Sequence, residues 1–111
     1  MAEPAITPEP PYLVVVFTSQ RSSVDDGYGE TSEWMVALAA KQDGFLGVES
    51  ARGPDGFGIT VSYWRDEGSI QVWKRDVEHL EAQAKGRMQW YDSYALRVGT
   101  IERDSGKAWK T

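Results

Sequence analysis

The sequence predicts an α+β domain of ferredoxin-like βαββαβ order, a four-stranded antiparallel sheet with both helices on one face. Three observations carry this. A nearly continuous run of β-branched and aromatic residues, "YLVVVFTS", opens the regular part of the chain. Two strand-like runs further on are separated only by "GPDG", and a segment of helical apolar spacing follows each half of the pattern. At 111 residues the chain suits a single core, so one fold has to carry any function.

Four of the five prolines, Pro4, Pro8, Pro10 and Pro11, fall in residues 1–11, which predicts an extended arm without regular hydrogen bonding. The domain proper is expected over residues 12–103. Its first strand is apolar on both faces, as a central strand should be. "SSVDDGYGETSEWMVALAAKQDG" then offers Ser and Asp caps ahead of an apolar series, Thr31, Met35, Leu38 and Ala39, with Gly44 as a stop, and predicts a helix of about four turns. "FLGVESAR" and "FGITVSYW" should pair as a hairpin around "GPDG", where Pro54 presets a turn angle and Gly56 tolerates positive φ. From Asp66 the spacing of Ile70, Trp73, Val77, Leu80 and Ala84 draws one apolar stripe on a second helix ending near "KGR", with a further turn through "MQWYDSY" open. "YALRVGTIER" alternates Leu96, Val98 and Thr100 against Ala95, Arg97 and Gly99 as the last strand, and residues 104–111 read as a polar tail.

Strands this apolar leave a problem. With both helices on one face, the other would expose more hydrophobic area than a soluble monomer ordinarily carries, so a homodimer joined through that sheet face is expected.

The net charge of -5 argues against phosphate neutralisation and hence against nucleic acid. The apolar run from Leu13 to Phe17 is too short for a signal or membrane helix, and no basic segment precedes it. With no cysteine, the expectation is a cytoplasmic protein without disulfides. One histidine and no cysteine cannot supply the usual zinc ligand sets or a two-histidine facial triad. Ser62, Ser69 and Ser93 lie in no nucleophile-elbow context, and no glycine-rich phosphate loop is present. No cofactor is therefore expected.

What remains is aromatic. Five Trp and five Tyr are many for this length, and Tyr63, Trp64, Trp73, Trp90, Tyr91 and Tyr94 surround the lone His79 in sequence. Trp73 lies on the apolar stripe, whereas His79 falls to its flank, where it is either a general base titrating near neutrality or a partly exposed helix residue. Trp90 and Tyr91 are either core anchors or walls for a flat ligand, and Arg87 either orients an oxygen of that ligand or caps the helix end.

"GFLGVESARG", "GFGITVSYW", "RDEGSIQVWKRDVEHLEAQ" and "GRMQWYDSYALRVGTIER" together resemble the antibiotic biosynthesis monooxygenase domains of the dimeric α+β barrel superfamily, over about Phe17 to Arg103. The resemblance implies a dimeric barrel and, for one class of relatives, oxidation of polycyclic phenols or quinols by O2 without metal or flavin. The substrate's own phenolate then reduces O2, and the protein supplies a pocket and a base. On that reading His79 is the base, and Trp64, Trp73, Arg87, Trp90 and Tyr91 line a site for a small aromatic or hydrophobic molecule. In haem-degrading relatives the set is an Asn on the first strand, a Trp on the second helix and a His ten residues later. Trp73 matches that Trp, but Gln83 stands at the tenth position and "YLVVVFTSQ" holds no Asn. The alternative from another class is a non-catalytic dimeric module that binds a small hydrophobic ligand or serves in a stress response.

Overall fold

The computed structural model describes residues 3–21, 36–83 and 91–110, with the side chains of residues 80–83 and 91 outside that description. Its strands are β1 (Tyr12–Arg21), β2 (Phe45–Arg52), β3 (Phe57–Trp64) and β4 (Tyr91–Ile101). Residues 36–40 are helical and form α1, and α2 spans Glu67–Gln83. The strands form one antiparallel sheet in the order β2-β3-β1-β4, the ferredoxin-like arrangement that the sequence predicts. Thr31 and Met35 of the predicted first helix, and Ala84 of the second, lie outside the described residues.

β1 is central, paired with β3 from Leu13↔Trp64 to Gln20↔Phe57 and with β4 from Tyr12↔Ile101 onward. Its β-branched residues suit a strand flanked on both edges. β2 and β3 form the predicted hairpin. Gly53 N–H donates to the Phe57 carbonyl at 2.8 Å, Gly56 N–H to the Gly53 carbonyl at 3.0 Å, and Gly56 takes φ 91°, a left-handed angle that glycine adopts without a Cβ clash.

Two boundaries differ from expectation. β4 begins at Tyr91, so residues 91–94 extend the strand rather than adding a helical turn; a bulge at Gln20/Arg21 lets Arg21 pair with Tyr91. Gly44 acts by close approach rather than by ending a helix: α1 gives way to a turn before it, and Gly44 is buried against the start of α2. A Cβ at Gly44 would lie 2.5 Å from Ser69 Oγ, to which Gly44 N–H donates at 3.1 Å. Asp66 caps α2, its Oδ1 accepting from Ser69 N–H at 2.8 Å, and this bond is the main cause of the lowering of its carboxyl pKa.

The core lies between sheet and helices, where Val15, Ala39, Trp64 and Ile70 are buried together and Leu13, Phe45, Trp73 and Leu96 pack around them. The opposite sheet face carries Val14, Val16, Ile59, Val61 and Phe57, and no described helix covers it; Phe57 and Ile59 are 47% and 43% exposed. Arg97, opposite Val16, and Glu49, opposite Val61, put charges of opposite sign on this face.

The ends of the chain fold back over one end of the same face. Thr7 Oγ1 donates to Tyr12 Oη at 2.9 Å, and Tyr12 donates to Asp104 Oδ2 at 2.6 Å. Lys110 Nζ pairs with the same carboxylate, donates to the Pro8 carbonyl at 2.8 Å and lies 4.6 Å from the Trp109 ring centroid. Trp109 Nε1 donates to the Ala5 carbonyl at 2.8 Å, and Ala5 N–H donates to Glu49 Oε2 on β2 at 2.8 Å.

Two outcomes follow from this packing. Gly44→Ala should destabilise the protein by about 1–3 kcal/mol in urea unfolding, because the added carbon overlaps Ser69. Lys110 and then Tyr12 hold the Asp104 carboxyl below its ordinary 3.8, so its contribution is complete above that value and is lost as pH falls through the lower folded value. The stability gap between wild type and Asp104→Asn should therefore be constant above about pH 5 and shrink at lower pH, as read from urea midpoints.

Candidate functional site

The period-two alternation of β1 turns Leu13, Val15, Phe17 and Ser19 toward the helices. Register then places Trp64, Ser62, Thr60 and Gly58 of β3 beside them on one flank, and Val98, Leu96 and Tyr94 of β4 on the other. The two flanks are covered unequally.

On the β3 flank Trp64 is wholly buried, 0% exposed, and its Nε1 donates to Ser62 Oγ at 2.9 Å, satisfying the buried indole. Phe45 meets it edge-on at 5.4 Å, and Trp73 of α2 lies across it, 5.4 Å between centroids at 39°. On the β4 flank Tyr94 and Val98 are 58% and 48% exposed although they face the helix side. Phe17 packs on Tyr94, 5.4 Å between centroids at 38°, and Leu96 continues this floor into the core. The β4 flank is thus an apolar, aromatic surface, with Trp73 and Leu96 both packed on the core beside it. Such a surface holds a flat hydrophobic molecule by area and ring stacking.

One end of the floor is polar. Ser19 is buried, and Arg52 Nη2 donates to its Oγ at 2.8 Å while Nη1 donates to the carbonyls of Ser19, at 3.3 Å, and Gly56. The guanidinium lies flat on β3 because Gly58 has no side chain; a Cβ there would be 2.6 Å from Arg52 Cζ. A planar donor is thereby fixed on Ser19, which pairs with Tyr94 of β4.

The tyrosines whose pKa is displaced lie on the opposite sheet face. Burial, followed by the hydrogen bond to Glu49, pushes Tyr63 up to about 12, and burial followed by Asp104 raises Tyr12. Among the described residues no three His, Asp or Glu side chains are grouped so as to hold a metal ion.

The residues predicted from sequence divide. Trp73 borders the helix-side floor. Trp64, expected to face a ligand, has no exposed surface and instead supports Trp73 from below, because Ser62 and Phe45 complete its enclosure. His79 is exposed and shares the outer face of α2 with Gln71, Arg75 and Glu78, all exposed. Tyr91 opens β4, with its side chain outside the described residues, and Arg87 and Trp90 lie outside them altogether. Phe17 and Arg52 were not singled out by sequence reasoning, and Tyr94 only as one of an aromatic group. The signal available for all three is their parity in the strand register.

No protein-family model matches the chain. An uncharacterized protein of Bacillus subtilis (strain 168), YqjZ, is 58% identical over 97 residues, covering 87% of this chain and 85% of that protein. The jasmonate monooxygenase ABM of Pyricularia oryzae is 32% identical over 94 residues, covering 81% of this chain. The chain belongs to one family with YqjZ, and its likeness to the antibiotic biosynthesis monooxygenases extends to the matched 94 residues of the Pyricularia enzyme. It spans 43% of the length of the Pyricularia enzyme. Among solved structures, a mutant of SnoaB, a cofactor-independent oxygenase of Streptomyces nogalater, superposes with a TM-score of 0.69 at 13% identity, covering 86% of this chain and 98% of that chain. A mutant of MhuD with two manganese protoporphyrin IX molecules bound per active site gives 0.59 at 17% identity, covering 86% of this chain and 99% of MhuD. At these identities the two structures bear on the fold of this family member alone. No described helix is long and apolar enough to cross a membrane.

The unequal covering of the two flanks separates support from contact. Trp64→Ala should cost about 3–5 kcal/mol in urea unfolding, whereas Tyr94→Ala should leave stability within about 0.5 kcal/mol while weakening the binding of a flat aromatic probe, read by fluorescence titration.

Proposed function

We propose that this family member is a cofactor-independent monooxygenase that oxidises a small aromatic, phenolic or quinol substrate with O2 on the helix-side face of its sheet. The observation that carries the reading is the half-covered aromatic floor of Phe17, Tyr94, Leu96 and Val98 beside Trp73, in a chain with this likeness to the antibiotic biosynthesis monooxygenases. A phenolate donates electrons to O2 directly; one oxygen enters the ring as a quinone carbonyl and the other leaves as water. The protein's part is to hold the ring, exclude bulk water and receive the phenolic proton. Trp73 and Tyr94 would bracket the ring, with Trp90 and Tyr91 as further candidate walls and Arg87 as a candidate oxygen ligand. Trp64 would act from beneath Trp73.

His79, exposed on α2, is the candidate base because it is the one imidazole of the sequence. The chain is proposed to pair with a second copy through the sheet face that bears the exposed Phe57 and Ile59, which closes the barrel.

The test is oxygen uptake by the purified protein with a panel of polycyclic phenols and hydroquinones, with 18O2 to follow the inserted atom. Uptake above the spontaneous rate, label in the quinone and a loss of at least tenfold in Tyr94→Ala are expected. His79→Ala should fold normally and lose turnover if proton transfer passes through it; an unchanged rate removes it from the mechanism. Tight binding of a probe with no uptake by any substrate would instead establish a non-catalytic binding module. Haem is the less favoured ligand, since β1 has no Asn and Gln83 stands ten residues after Trp73; a Soret shift on titration with haemin would revive it.

A further inference from the structure

The open sheet face has two unlike halves. One half, carrying Tyr12, Tyr63 and Glu49, lies beneath both ends of the chain; the other, carrying Val16, Ile59 and Phe57, has no such cover among the described residues. The cover is a closed circuit. The N-terminal strap is tied to β2 by Ala5 N–H on Glu49, where Ala5 Cβ lies 3.0 Å from the position a Cβ on Gly47 would take, a tight contact that a side chain there would press outward. The C-terminal tail grips the strap twice, through Trp109 Nε1 on the Ala5 carbonyl and Lys110 Nζ on the Pro8 carbonyl. Both are anchored to the sheet through Asp104 and Tyr12.

This circuit holds a backbone that would not choose its own conformation. Ala108 and Lys110 both have φ 54°, in the left-handed region, where a side chain costs about 1–2 kcal/mol per residue. Neither is a glycine or an asparagine. The conformation therefore depends on what Trp109 and Lys110 grip, and a turn under this strain is maintained only while the grip is intact.

We infer that the two chain ends form a clasp that fixes where a second copy of this chain seats, by masking the Tyr12, Tyr63 and Glu49 half of the sheet face and leaving only the Val16, Ile59 and Phe57 half for contact. This rests on the second-copy reading given above. A two-fold contact needs one patch that meets itself. A bare four-stranded face offers several offsets along the strands with similar apolar area, and weakly specified sheet contacts slip. The clasp removes these alternatives, because an offset copy would have to displace the strap and leave Glu49 Oε2 without its Ala5 donor.

The test compares the full-length wild type with Trp109→Ala/Lys110→Ala by sedimentation velocity over a concentration series, with hydrogen exchange reporting on residues 5–8. The wild type should sediment as one dimeric species, and Phe57→Glu should dissociate it. The double variant should exchange faster at residues 5–8 and either dissociate at least tenfold more readily or spread into dimers and larger species. If the wild type stays monomeric, the second-copy reading falls and the clasp inference with it. If the wild type is dimeric and the double variant, with residues 5–8 opened, forms the same dimer with the same affinity, the clasp inference alone is overturned. Should the double variant fail to fold, Lys110→Ala supplies the same comparison, and an unchanged dimer with opened residues 5–8 would overturn the inference equally.

Discussion

The register of β1 between β3 and β4 is the constraint on which everything else depends. Strand side chains alternate with period two, so the pairing Val15↔Ser62 and Val15↔Val98 commits Leu13, Val15, Phe17 and Ser19 to the helices and Tyr12, Val14 and Val16 to the other face. A slip of one residue would exchange the two sets. Tyr12 would then be driven into the core, far from Asp104, and Phe17 would leave Tyr94. The aromatic floor and the clasp thus arise from one alignment.

The two faces put their aromatic residues to different uses. On the helix side Trp64 is buried with its single donor satisfied by Ser62, which makes it a rigid plate under Trp73. On the far side Tyr12 and Tyr63 meet edge-to-face at 5.8 Å, and each hydroxyl donates to a carboxylate, Asp104 for one and Glu49 for the other. The phenols there are held protonated by burial and by those carboxylates. They brace the termini, whereas Tyr94, on the helix side, presents its ring to solvent.

Much of the fold was legible because its signals are local. The β-branched run of β1, the "GPDG" turn and the stripe of α2 each declare themselves within a few residues, and the family resemblance follows the same segments. The start of β4 was not legible: Asp92 and Ser93 break the apolar alternation, and the strand exists there because the ends of β1 offer it partners across a bulge. The site was legible only in part. Trp73 announces itself by helical spacing, but the Phe17–Tyr94 contact and the Arg52–Ser19 bonds join residues far apart in the chain and are products of register. The bond from Trp109 to Ala5 spans 104 positions, and composition alone marked both ends as loose.

Arg52 and Gly58 carry a consequence for how this sequence can drift over generations. They face each other across β2 and β3, and the guanidinium occupies the space that any side chain at position 58 would need. Neither position is free to vary alone. A larger residue at 58 would evict Arg52 from Ser19 and the Gly56 carbonyl, and a short residue at 52 would leave a void over the bare strand. The pair is a single inherited character written at two sites, so a lineage that gives up the guanidinium should also be the one in which position 58 regains a side chain.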